Sequence, residues 1–347
     1  MEQNNSNTPR RIFLLVIIIG FIFGVYFVGK LIEHNGINNP SQLISSFLFP
    51  RKTNVKSNKG RVNVLILGRA GSGYSAPDLT DTIIAASISN DKDSVRLFSI
   101  PRDIWVPSIR AKINSAYYWG NQENSYWGQQ NNTEDGNELV KSLVSEIVGQ
   151  PIHYVVVVDF SGFKEIVDVL GGIDIDIKKS FVDTKYPIAG KEDDKCGGDK
   201  KYLCRFETVG FQEGPVHMDG ETALKFVRSR NAEGEEGTDL AREARQQKVI
   251  SGIERKVLSG TTIFNSVKLL NLWRVVQKYI KTDMDGPAVM VLTRNILSAR
   301  KNVSSFVFPE GLLVTPPKDQ RYDFQYVFIP KGESWDEIHM WVNSLLQ

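Results

Sequence analysis

"VNVLILG", Val62 to Gly68, is an apolar run broken by one polar residue, Asn63. Seven such residues, followed at once by the breaker-rich "RAGSGYSAPD", read as a strand buried in a sheet. The residues after it repeat the signal. "TIIAASIS" (82–89) and "SVRLFSIP" (94–101) are two more strands, joined by the turn-like "NDKD". "NELVKSLVSEIVG" (137–149) switches to helical spacing, and "HYVVVVDF" (153–160) returns to strand. "SGFKEIVDVLGG" reads as a helix started by Ser161 and ended by Gly171, and "IDIDI" (173–177) alternates as a half-buried strand. A long loop holding both cysteines follows. Asp219 is a good N-cap for the short helix "DGETALKFV", and Thr238 or Asp239 caps a longer one to about Leu258. Helices near 264–280 and 286–299, strands at "SSFVFP" and "FQYVFIP", and a helix near 334–345 complete the pattern. Interleaved strands and helices give an α/β fold: a mixed central sheet flanked by helices, with no second-domain boundary visible.

Upstream the chain changes character. Arg10 and Arg11 precede "IFLLVIIIGFIFGVYFVG", Ile12 to Gly29, which carries no charge. Eighteen residues at helical rise span about 27 Å, close to the hydrocarbon core of a bilayer. The residues after it offer no small-residue cleavage site, so the run reads as an uncleaved signal anchor. The expected organisation is a cytoplasmic tail (1–11), a transmembrane anchor (12–29), a linker (30–60) and one folded domain (61–347) outside the cytoplasmic membrane. Cys196 and Cys204, in "CGGDKKYLC", suit an oxidising compartment; a loop-closing disulfide or two free thiols are the alternatives.

The formal charge of the 347 residues is +2, so no global basic excess points to nucleic acid. The arginines are nevertheless gathered. "FVRSRNAEGEEGTDLAREARQQKV" (226–249) holds Arg228, Arg230, Arg242 and Arg245, then Gln246. On a wheel with Leu240 at zero, Val249, Ile250, Ile253 and Val257 fall between roughly 180° and 280°. Arg242 and Gln246 fall at about 200° and 240°, on the same stripe, and Arg245 at its edge. An inward arginine near a helix start calls for a buried anion, and the guanidinium fork matches phosphate oxygens. Internal ion pairs to Glu233, Glu235, Glu236 or Asp239 account for the cluster equally well.

Two earlier stretches add acidic groups. "DLTDTIIAAS" places Asp78 and Asp81 before a strand, and "SIPRDIWV" places Arg102 and Asp103 after the next. Lys112 in "AKIN" is a further cation. Carboxylates beside arginine at strand ends suit a Mg²⁺–phosphate site. No nucleophilic triad, P-loop or zinc motif is present, and the four histidines, His34, His153, His217 and His339, are scattered and read as surface or capping groups. "YYWGNQENSYWGQQNN" (117–132) reads as an exposed loop with some buried aromatics.

Taken together, "LTDTI", "SIPRD", "KIN", "DVLGGIDIDI", "DGETALKFVRSR" and "DLAREARQQ" occur in the order and approximate spacing of the LytR–CpsA–Psr family. The resemblance is strong from Val62 to Leu258, and the tail and the preceding anchor are similar too. It implies an enzyme outside the membrane that transfers a glycopolymer phosphate from a polyprenyl-pyrophosphate carrier to peptidoglycan. It implies that Asp81 binds Mg²⁺ (or Mn²⁺) and helps activate the acceptor hydroxyl. It further implies that Arg102, Arg228, Arg230, Arg242, Arg245 and Gln246 hold the pyrophosphate, with Asp103 and Lys112 in supporting roles. One motif departs. Family members often carry an Asp in a "GSD"-like motif after the first strand, as a second metal ligand. Here Arg69 and Ala70 stand near that place. Three alternatives follow: Asp78 substitutes as metal ligand, Asp81 binds the metal with fewer protein ligands, or Arg69 replaces part of the metal's charge. A hydrolase acting on the same carrier and a non-catalytic lipid-pyrophosphate-binding module are the competing functions.

Overall fold

The computed structural model describes residues 55–71, 76–91, 94–122, 136–191, 193–257, 259–263, 265–299, 302–309 and 311–347. The expected tail and anchor, and most of the linker and of the aromatic-rich 117–132 stretch, lie outside these residues. Among the described residues, no helix is long and apolar enough to cross a membrane. They fall into two compact units, where the sequence predicts one domain.

The first unit takes its strands and helices from three stretches of chain. It begins with β1 (Arg61–Arg69), β2 (Thr80–Ser89), β3 (Val95–Ser99), β4 (Trp105–Val106), β5 (Ala111–Lys112), α1 (Ala116–Gly120), α2 (Gly136–Val148) and β6 (Tyr154–Asp159). The chain then leaves to build the second unit: α3 (Gly162–Leu170), β7 (Ile173–Ile177), β8 (Phe181–Pro187), β9 (Phe206–Phe211), β10 (Gly214–Met218), α4 (Gly220–Arg228), α5 (Asp239–Val257), α6 (Gly260–Ile263) and α7 (Ser266–Tyr279). It returns through β11 (Ile280–Thr282), α8 (Gly286–Ser298), β12 (Val303–Val307), β13 (Leu313–Val314), β14 (Ile329–Pro330) and α9 (Asp336–Leu346). The chain passes between the units at Ala70–Gly71 and Pro77–Asp78, within the short turn-rich stretch after β1, and again at Asp159–Phe160 and Tyr279–Ile280, at the ends of regular elements.

In the first unit the sheet order is β11-β6-β1-β2-β3-β12. β1 runs parallel to β6 and antiparallel to β2, and β12 runs parallel to β3, so the sheet is mixed as expected. The apolar run of β1 is explained by cover on both faces. Leu65 and Leu67 pack with Phe98 and Val155 against Val140 and Val144 of α2 and Ile338 and Val342 of α9. Val64, Ile66 and Val156 face Leu292 and Ile296 of α8 instead. Asn63, the polar exception, donates its backbone N–H to Nδ1 of His153 and its amide to the Pro151 carbonyl. The expected strand at 324–330 is realised only at β14 and in a bridge from Phe328 to Ile104. Asp323 and Phe324 have φ of +49° and +56°, a left-handed conformation that a strand does not tolerate.

In the second unit β7 pairs antiparallel with β10 and alternates buried and exposed residues, as "IDIDI" predicts. β8 and β9 form a hairpin that the sequence reading left as loop, and Cys196 and Cys204 are joined by a disulfide in its connection. The Gly171 N–H and the Gly172 N–H return to the carbonyls of Asp168 and Val167 and close α3. Asp219 caps α4 by accepting from the Thr222 N–H. Thr238 is the cap of α5: its hydroxyl accepts from the Ala241 N–H. Gly252 lets α5 lie directly on β7, since a Cβ there would sit 2.8 Å from Ile175 Cδ1.

Candidate active site

The sheet of the first unit brings the predicted charges to one edge. β1, β3 and β6 end there and β2 begins there, the edge at which open α/β sheets place ligands. Arg69, the last residue of β1, lies opposite Asp159 of β6 and Thr80 of β2. The β1–β2 register shifts between Gly68 and Arg69, which leaves Asp81 without a paired residue. A bulge of this kind redirects side chains at the end of a ladder.

Asp81 accepts a 2.6 Å hydrogen bond from Arg102 Nη1, and both side chains are about half exposed, at 51% and 52%. Arg102 Nε lies 3.6 Å from Asp103, which in turn accepts at 2.7 Å from Lys112 Nζ. Burial lowers the Arg102 pKa, but the hydrogen bond and charge of Asp81, then those of Asp103, outweigh it and hold the pKa above its ordinary value. The "KIN" stretch explains how Lys112 arrives. Arg110, at φ +47°, turns the chain between β4 and β5, and β5 pairs with β4 so that Lys112 faces Trp105. The Asn114 carbonyl accepts from the Thr80 hydroxyl, and its N–H donates to the Arg102 carbonyl. These bonds fasten the Arg102–Lys112 segment to the start of β2.

Arg69 occupies the other end of the row. Its Nη1 is hydrogen-bonded to Asp78 and its Nη2 donates at 2.9 Å to Asp159. The row therefore holds four carboxylates, Asp78, Asp81, Asp103 and Asp159, and three cations, Arg69, Arg102 and Lys112. Asp81 and Asp78 are each paired with a different guanidinium, so a metal held jointly by the two would have to displace both Arg102 and Arg69. In the sequence between Arg69 and Asp78, residues 72–75 are Ser-Gly-Tyr-Ser and contain no carboxylate. Among the described residues, one group of three acidic, thiol or imidazole side chains has metal-ligand spacing, Asp194, Cys196 and Cys204, and its sulfurs are spent in the disulfide.

The second unit carries the remaining predicted residues, and here the helical wheel needs correction. Arg245, placed at the edge of the apolar stripe, is the buried one, 2% exposed. Arg242 is half-buried and Gln246 is exposed. The buried face of α5 runs through Arg245, Val249, Ile253 and Val257, spaced by four. The wheel took its direction from the last turns, and it could not include the α4 end and the 229–237 loop that cover the first turns. Arg245 spends its donors inside the unit. Nε donates to the Phe226 carbonyl at 3.1 Å, Nη2 to the Ser229 carbonyl at 2.7 Å, and Nη1 to the carbonyl and carboxylate of Glu236, both at 2.8 Å. Its guanidinium also lies 4.6 Å from the Phe181 ring centre. Burial pulls the Arg245 pKa below its ordinary value, and Glu236 opposes that shift. This geometry ties the fold and leaves Arg245 no open face for an anion, so its expected place in the pyrophosphate clamp is withdrawn. Arg230 is exposed, and Arg228 lies 6.0 Å from the Tyr186 ring centre.

The sequence reading missed two groups that hold these residues, Asp183 and Asp159. Asp183 is fully buried and accepts from the backbone N–H groups of Lys185, Arg230 and Asn231. An acidic residue in an otherwise hairpin-like run was the available signal. Of the acidic residues that the sequence offers as internal ion-pair partners, Glu236 does pair with an arginine of the cluster, Arg245, while Glu235 pairs with Lys179. Asp159 was quoted as the end of an apolar strand, and its pairing with Arg69 depends on the β1–β6 register.

A model of the LytR_cpsA_psr family matches residues 32–341. A protein of Oceanobacillus iheyensis named polyisoprenyl-teichoic acid–peptidoglycan teichoic acid transferase TagU is 28% identical over 301 residues, covering 84% of this chain and 80% of its own. A Bacillus cereus protein of the same name is 25% identical over 252 residues, covering 72% and 68%. The crystal structure of B. subtilis TagU is similar at 22% identity and a TM-score of 0.46, covering 83% of this chain and 98% of that one. With the family match spanning most of its length, this chain belongs to the LytR_cpsA_psr family.

Proposed function

We propose that this chain transfers a glycopolymer phosphate from a polyprenyl-pyrophosphate carrier to peptidoglycan; its TagU relatives are named as transferases of teichoic acid from a polyisoprenyl-teichoic acid to peptidoglycan. The single observation that carries the reading is the exposed Asp81–Arg102 pair at the sheet edge. Phosphoryl transfer needs positioning and charge neutralisation more than a covalent nucleophile, and this pair offers both. An acceptor hydroxyl oxygen attacks the phosphorus that bears the glycopolymer. The bond from that phosphorus to the bridging oxygen breaks, and polyprenyl phosphate leaves. Asp81 takes the hydroxyl proton, and Arg102, released from Asp81 by the incoming phosphate, neutralises charge on the phosphate oxygens. Lys112 and Asp103 position Arg102. Arg228, Arg230, Arg242 and Gln246 are proposed as pyrophosphate-binding residues on their motif matches. Mg²⁺ dependence is the family expectation for Asp81, and no step above is routed through a metal. The disulfide in the second unit supports a location outside the cytoplasm, and Ile12–Gly29 is the proposed anchor.

The test uses the full chain in detergent with lipid-linked pyrophosphate donor and peptidoglycan. The expected result is coupled release of polyprenyl phosphate and incorporation of glycopolymer. Arg102→Ala should lower turnover by roughly 10²–10³-fold, while stability changes little because the pair is exposed. Release that is indifferent to peptidoglycan would replace this reading with a hydrolase, and donor binding without release would replace it with a binding module.

A further inference from the structure

The Arg69 end of the row is built differently from the Asp81 end. One guanidinium lies between two carboxylates that come from opposite sides: Asp159 from the neighbouring parallel strand, and Asp78 from the turn before β2. The side chain is 18% exposed, against 52% for Arg102. Among the described residues its Nε is buried with no hydrogen-bond partner. A buried donor left unsatisfied is costly, so the side chain is held by the two carboxylates at its terminal nitrogens and not by a general hydrogen-bonding fit. Both carboxylates are thus directed at one guanidinium, and oxygen donors of this kind are the ones a divalent cation takes.

We propose that Arg69 is a resident cation, standing between Asp78 and Asp159 in place of a protein-bound divalent metal. A fixed guanidinium already offsets one of the two negative charges at this end of the row, and its charge repels a second cation from the same carboxylates. Any divalent ion that the row takes is then confined to Asp81. The inference rests on the Arg69 ion pairs and not on the proposed reaction, and its readout is metal binding and not turnover, so the two stand or fall separately.

The experiment measures Mn²⁺ binding to the full chain in detergent, by Mn²⁺ EPR and by the thermal shift that Mn²⁺ produces. In the wild-type chain, Asp78→Asn should leave Mn²⁺ affinity unchanged. Arg69→Gln should melt lower than wild type and should bind Mn²⁺ more tightly by at least about tenfold, the least expected from removing a unit charge a few ångströms from a divalent ion. Mn²⁺ should restore its melting temperature, and adding Asp78→Asn to Arg69→Gln should abolish both effects. A wild-type Mn²⁺ site weakened by Asp78→Asn would overturn the proposal, and that arm needs no Arg69 variant to fold. An Arg69→Gln chain that folds and gains no Mn²⁺ affinity would overturn it as well.

Discussion

Replacing Arg245 by alanine separates a fold-holding arginine from a ligand-holding one. The side chain is 2% exposed and makes four hydrogen bonds, three to carbonyls and one to the Glu236 carboxylate. Truncation removes a buried cation from its carboxylate partner, a change that costs about 3–5 kcal/mol. The carbonyls of Phe226 and Ser229 lose a charged donor, and the face of Phe181 loses its cation. Some of this is recovered by water entering the space, so roughly 3–5 kcal/mol is taken as the whole effect. For a domain of this size that corresponds to a fall in Tm on the order of 10 °C. Arg245→Lys should recover only part of it, because one ammonium cannot reach three acceptors arranged for a planar fork. Urea unfolding followed by tryptophan fluorescence, with thermal melts in parallel, measures the loss. An Arg245→Ala chain that melts within about 2 °C of wild type but no longer binds lipid pyrophosphate would refute the reasoning, because that is the signature of a surface ligand group.

Two further outcomes follow from the same contacts. Cys196 and Cys204 close a loop with a sequence separation of 8, so reduction should destabilise the β8–β9 hairpin by about 2–3 kcal/mol on the chain-entropy estimate; hydrogen exchange should show the loss confined to residues 181–211, and a global loss of protection would contradict it. His153 accepts the Asn63 N–H, and burial, then the charge of Lys56, lower its pKa below the ordinary 6.5. As pH falls the unfolded chain takes up this proton first, so the stabilisation is complete above about pH 6.5 and declines as pH drops through the lower folded-state value. His153→Gln should flatten that part of the stability profile measured by urea unfolding between pH 7 and 5, and an unchanged slope would assign the dependence to another group.

Much of the fold was legible because burial on two faces leaves a mark that needs no knowledge of neighbours. "VNVLILG" and "HYVVVVDF" are apolar on successive residues, and a chain can afford that only inside a covered sheet. "IDIDI" alternates, and one of its faces is indeed exposed. Two caps were legible for a similar reason: Asp219 and Thr238 each satisfy an N–H three residues away, so the pattern is local, whereas Ser161, also expected to cap, makes no side-chain cap hydrogen bond at α3. The β8–β9 hairpin was missed because its residues, "FVDTKYP" and "FETVGF", mix charges with aromatics and are separated by the disulfide loop.

The sequence by itself determined which residues carry charge at strand ends, the succession of elements, and the motif order that marks the family. It placed Asp81, Arg102 and Asp103 in one group, since each sits within a few residues of a strand that enters the same sheet, and added Lys112 as a further cation. Only the tertiary structure decided which charge meets which. Arg69 reaches Asp159 through the parallel β1–β6 register, across ninety residues of sequence separation. Arg245 and Gln246 exchanged the roles that the wheel assigned because the cover of the first turns of α5 comes from other elements. Hydrophobic periodicity fixes the direction of a helix face only as well as its apolar residues sample it, and here the decisive buried residue is a charged one whose partners are backbone carbonyls.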